Sequence, residues 1–205
     1  MRRQIKLRPI VTAAVSFVIA FIATASAQET VRVRATIDAL DGQSMSVTTR
    51  DGTKLAIKIA DNVTVVGIVK ATMNDIKAGS YVGVAGMPQA DGSQKALEVH
   101  IFPEAMRGTG DGHRGWDLQP SSTMTNGSVE QTAASSDGQV LTLKYKDGEK
   151  KIVVPPDAPI VVYVPGDKSE LKAGASIFIS AAVKQADGTL EAPRVNVGRG
   201  VAPPM

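Results

Sequence analysis

Apolar side chains fall at every second position along much of the chain. Val31, Val33, Ala35 and Ile37, then Met45 and Val47, then Leu55, Ile57 and Ile59 alternate with Arg, Thr, Ser and Lys. A period of two puts the apolar set on one face of an extended strand, so these segments predict half-buried β-strands. Asp41-Gly42 and Asp51-Gly52 lie between them and predict hairpin turns, because Asp-Gly tolerates the positive φ that tight turns need. The next run, "VTVVGIV", is continuously apolar and predicts a more buried strand, or one that switches neighbours. "TMNDIKAGS" follows and predicts one short helical turn, with Thr72 as N-cap, Asp75 in its first turn and Gly79 as its stop. "YVGVAGMP", a turn at Asp91-Gly92 and "QKALEVHIF" complete the unit.

The pattern then recurs. "DGQSMSVTTRDGTKLAIKIADN" from Asp41 to Asn62 is answered by "DGQVLTLKYKDGEKKIVVPPDA" from Asp137 to Ala158, at an offset of 96 residues. "DIKAGSYVGVAGMPQADG", Asp75 to Gly92, is answered by "ELKAGASIFISAAVKQADG", Glu170 to Gly188. Identities in order at one spacing indicate two copies of one unit of roughly 75 residues. In the second copy the strands are centred on Leu141 to Tyr145, Ile152 to Val154, "PIVVYV", "SIFISAAV" and "LEAPRVNV", and Pro193 places a bulge or an edge in the last. The expected fold is all-β: two tandem OB-like five-stranded small barrels, each with a short helical turn. Residues 28–103 would form the first barrel, 104–123 a structured Gly-rich connector, and 124–205 the second barrel.

"DIKAGSYVGVAGMPQADG…ALEVHIF" and the repeated "LKAG…QADG" resemble the exported bacterial domains grouped as DUF5666, an OB-like β-barrel domain of unknown function. From Val31 onward, with "EAMRGTGDGHRGWDL", "STMTN" and "GEKKIVVPPDAPIV", the chain is also similar to an alphaproteobacterial group often labelled metal ABC transporter permease. The resemblance implies export and an OB-like fold, brings no catalytic residues, and suggests association with metal transport. A permease itself needs several membrane-spanning segments, whereas this chain has one long apolar run, at its start.

That run reads as a leader. Arg2, Arg3, Lys6 and Arg8 precede an apolar stretch from Ile10 to about Ala23, and Ala25-Ser26-Ala27 follows. The three parts predict a signal peptide over residues 1–27, cleaved after Ala27, and a periplasmic or secreted product without stable membrane insertion. Its removal changes the charge picture: of 23 Lys and Arg against 20 Asp and Glu, the leader holds four bases and no acid. The remainder is close to neutral and lacks the one-signed field that steers a protein to nucleic acid. The chain has no cysteine, so no disulfide staples the exported fold.

Candidate chemistry concentrates in "HIFPEAMRGTGDGHRGWDLQP", His100 to Pro120, which holds both histidines and the only tryptophan. A divalent metal site would draw on His100, His113, Met106 and Asp111, with Glu98 beside His100 on one strand face and Asp117 nearby. The His100–His113 interval matches no standard ligand spacing. "RGTGDGHRG" lacks the following helix and Lys of a phosphate loop. Neither histidine lies in a nucleophile context, so no catalytic residue or organic cofactor is expected. Trp116 is expected to pack in a seam between the barrels. Lys144, Lys146, Lys150 and Lys151 form the densest basic cluster, read as the solvated face of a hairpin. The sequence therefore predicts a non-catalytic periplasmic binding or structural protein whose partner is an unidentified periplasmic protein or envelope component. The rival expectation is a metal-binding accessory.

Overall fold

A computed structural model describes residues 28–203 of the protein; the expected leader lies outside the described residues. The described residues are all-β, with twelve strands and three single 3-10 turns. The first copy supplies β1 (Thr30–Asp41), β2 (Ser44–Thr49), β3 (Lys54–Ala71), β4 (Tyr81–Pro88) and β5 (Gln94–Phe102). The connector adds β6 (Gly112–Gly115), and the second copy supplies β7 (Thr123–Ser135), β8 (Gly138–Tyr145), β9 (Gly148–Val154), β10 (Ile160–Pro165), β11 (Ser176–Lys184) and β12 (Leu190–Gly198). The predicted turns are present: a 3-10 turn over Met73–Asp75 is closed by a capping box between Thr72 and Asp75, and its counterpart at Lys168–Glu170 by Asp167 and Glu170.

Two closed five-stranded rings emerge, and neither belongs to one copy. In the first, β1 pairs with β2, β2 with β3, β3 with β12, β12 with β11, and β11 with β1. In the second, β7 pairs with β8, β8 with β9, β9 with β5, β5 with β4, and β4 with β7. Each ring takes three strands from one copy and two from the other, and the third-to-fifth strand pairing is parallel in both. The cores follow the rings: Val33, Ile37, Met45, Val47 and Ile57 pack with Ile177, Ile179 and Val195, while Val82, Val84 and Val99 pack with Leu141, Leu143 and Ile152. The expected boundaries, one barrel in 28–103 and one in 124–205, are thus replaced by an exchange of the last two strands of each copy.

The exchange runs through β3. "VTVVGIV" does not start a new strand but continues Leu55-Ile57-Ile59, giving one strand of 18 residues. Val63 and Val65 lie in the first core, Val66 and Ile68 in a junction cluster with Val161 and Tyr163, and Ala71 in the second core. At the junction β3 runs antiparallel to β10, pairing Val66 with Pro165 and Val69 with Val162. Those two pairs interchange under the 96-residue offset, so this crossing lies on the local two-fold of the repeat. In the second copy Pro155 and Pro156 interrupt the equivalent strand, separating β9 from β10. Register slips at Ala192/Arg194, which puts the bulge where Pro193 predicts it.

Candidate functional site between the barrels

The connector folds back as a strap. β6 pairs with β7, His113 opposite Thr125 and Arg114 opposite Met124. Beyond it, Trp116 N–H donates to Ser122 O at 2.8 Å, and Ser122 Oγ–H donates to Gln119 O at 2.8 Å. This closed loop carries Trp116 and Asp117 to the other barrel. There the Arg32 guanidinium of β1 lies 4.1 Å from the centre of a Trp116 ring, with Arg114 at 5.7 Å. Asp117 accepts from Arg34 at 2.6 and 3.3 Å and lies 3.4 Å from Arg32; the hydrogen bonds from Arg34 hold its carboxyl below the usual range.

Strand alternation divides the predicted ligands. On β5, Val99 and Ile101 enter the barrel core, which turns Glu98, His100 and Phe102 outward toward the seam. Paired residues of neighbouring strands share a face, so the row His100–Gly83–Asn126–Gly112 faces the seam. His113 follows Gly112 and therefore faces the other way, two strands beyond His100's own neighbour β4. His113 Nδ1 lies 2.7 Å from Thr125 Oγ1, and that hydroxyl donates to Gln94 Oε1 at 2.7 Å. With its one proton so committed, the hydroxyl accepts from His113, which places the imidazole proton on Nδ1. Burial, then Lys150 and Arg114, push the His113 pKa down. Asp111 is also engaged elsewhere: Oδ1 accepts from Lys146 N–H at 2.7 Å, and Oδ2 lies 3.3 Å from Tyr81 Oη. Of the four proposed metal ligands, His100 and Met106 come to the seam, whereas His113 and Asp111 do not. Among the described residues no three His, Cys, Asp or Glu side chains are grouped to hold a metal ion.

At the seam itself lies a cleft of about 270 Å³. The strap and β7 form one wall with Trp116, Met124 and Asn126; β1, β11 and β12 form the other with Arg32, Phe178, Ser180, Arg194 and Asn196. His100 and Tyr163 close its inner end. Both are buried, with His100 Nδ1 3.5 Å from Tyr163 Oη and His100 Nε2 3.4 Å from Glu98 Oε1. The Glu98–His100 contact is within ion-pair reach but is not aligned as a hydrogen bond, since both atoms lack such a partner among the described residues. Burial raises the Tyr163 pKa, helped by the Glu98 charge, so Tyr163 keeps its proton. Larger hollows, about 570 and 750 Å³, lie beside the C-terminal segment and under Pro155–Pro159. Their walls lack the aromatic side chains that line the cleft.

Sequence reasoning missed the arginines. Arg32 stands among the outward polar residues of β1, where a solvent face is the default reading. A signal was present in the repeat: "ALEVH", Ala96 to His100, aligns with "APRVN", Ala192 to Asn196, at the 96-residue offset. Glu98 and His100 thus occupy the positions of Arg194 and Asn196, and the two copies diverge at the seam while the core residues around them persist. Compared with known proteins, the chain matches no family model, no curated protein and no solved structure. The described residues therefore form an all-β fold of two interleaved five-stranded rings, with a cleft drawn from both rings and the strap.

Proposed function

We propose that the protein is an exported, non-catalytic binding protein of the bacterial envelope, released by cleavage after Ala27, that holds a small ligand in the cleft between two OB-like barrels. The OB-like reading is supported by the ring order, in which the first strand of each copy lies between its own second strand and the other copy's fourth. The short turn before each fourth strand agrees with it. One observation carries the binding reading: Trp116, Phe178, Phe102 and Tyr163 converge with arginines and amides at one concave site drawn from both barrels and the strap. Apolar walls with a few oriented polar groups are what small-molecule sites have in common. The metal-accessory reading has less support, because His100 and His113 face opposite sides of one sheet.

A thermal-shift screen of metabolite-sized compounds against the native protein and Ser180→Trp tests the reading. Ser180 is exposed on the cleft wall, so the indole fills the hollow without entering a core. Compounds that raise the Tm of the native protein but not of the folded variant support the cleft as the site. Compounds acting equally on both, or none acting, overturn it.

A further inference from the structure

The lining of the cleft is unbalanced in charge. It includes Arg32, Arg114 and Arg194, and among the described residues no Asp or Glu. Asp117, the nearest carboxylate to Arg32, already accepts two hydrogen bonds from Arg34. Arg194 is half-buried on β12, and among the described residues no carboxylate lies within ion-pair distance of it. Arg114 donates to the neutral Gly110 O at 2.7 Å; burial and then the charge of Arg32 hold its pKa down. Arg32 and Arg114 are exposed and Arg194 is half-buried; like charges set around one hollow repel one another even when solvent screens them in part, and a bound anion relieves that repulsion. Guanidinium groups present paired N–H donors that match a carboxylate or phosphate, while Trp116 and Phe178 offer flat apolar surface beside them.

Resting on the cleft reading above, we propose that the ligand is a small organic acid, with its carboxylate or phosphate held by Arg194 and Arg114 and its apolar or ring portion against Trp116 and Phe178. A volume of about 270 Å³ suits one compact ring with its acid group rather than a polymer segment. Glu98 and His100 lie behind the inner end, where a second negative charge would meet the Glu98 carboxylate, so the site favours acids with one anionic group.

Trp116 is the only tryptophan, and its emission therefore reports on this hollow alone. The test titrates the purified protein with benzoate, phenyl phosphate and the neutral isostere benzamide, reading Trp116 fluorescence at low salt. Benzoate or phenyl phosphate is expected to give a saturable change, with benzamide weaker by on the order of tenfold or more. The tighter acid distinguishes carboxylate from phosphate. Arg194→Gln is expected to weaken the acid by a similar factor and leave benzamide unchanged, with circular dichroism confirming the fold; Arg114→Gln serves if that variant does not fold. Equal binding of benzamide and benzoate overturns the anion assignment and leaves the cleft reading intact. No saturable change with either acid also overturns the assignment, and the screen with Ser180→Trp then decides the cleft reading independently.

Discussion

Trp116 joins the strap to the opposite barrel through a stacked guanidinium rather than through a core. The Arg32 contact at 4.1 Å belongs to the cation–π range that contributes about 0.5–2 kcal/mol. Trp116→Ala is expected to lower stability by about 1–3 kcal/mol in urea unfolding. In a double-mutant cycle with Arg32→Ala the coupling should reach about 0.5 kcal/mol or more; additive losses would show that the stack contributes nothing of its own. His113 acts through protons instead. Its pKa is depressed in the fold, so below about pH 6.5 the unfolded chain binds the extra proton more readily and unfolding is favoured. Stability is expected to rise as pH increases from about 5 to 7, and His113→Gln should flatten that part of the Tm profile.

At the scale of elements, β4 depends on a residue without a side chain. A Cβ on Gly86 would meet Lys95 O at 2.5 Å and the Gln94 side chain at 2.8 Å, at the point where the β4–β5 register slips. Gly86→Ala is therefore expected to destabilise by about 1–3 kcal/mol, seen as a lower urea midpoint with an unchanged slope. Most elements were legible because alternation and Asp-Gly turns are local: β1, β2, β4, β5, β8, β11 and β12 lie where the pattern predicts them. The length of β3 was not legible. A switch from alternating to continuous apolar residues marks a change in what surrounds a strand, and it reads the same whether a turn intervenes or the strand passes from one core into another. Nor was the site legible beyond Trp116, His100 and Met106. Arginines on an outward strand face carry no mark of whether that face meets water or another barrel.

The molecule as a whole behaves as one body, because neither copy can close a ring alone. Residues 28–103 lack partners for both edges of β1–β3 and for β4–β5, leaving the open strand edges that drive association. That half alone is expected to be aggregated or dimeric in size-exclusion chromatography, while co-expression with residues 104–205 should restore a 1:1 complex with the native far-UV spectrum. A folded, monomeric half would refute the exchange. The repeat was visible in the sequence and the exchange was not, for a physical reason: each strand's pattern specifies a buried face, and the fourth strand of either copy offers a similar one. Only the path of the chain across the junction decides which ring it joins.

That junction also frees the two copies from each other. Two identical chains related by a two-fold axis would carry the same side chain at both equivalent places, and an acid near the axis would face its own image. Here both copies belong to one polypeptide, so the symmetric scaffold presents Glu98 and His100 on one side of the axis and Arg194 and Asn196 on the other. The two sides of the seam therefore differ in charge although the backbone around them repeats: Arg194 and Asn196 face the cleft from one copy, and His100, with Glu98 behind it, faces it from the other.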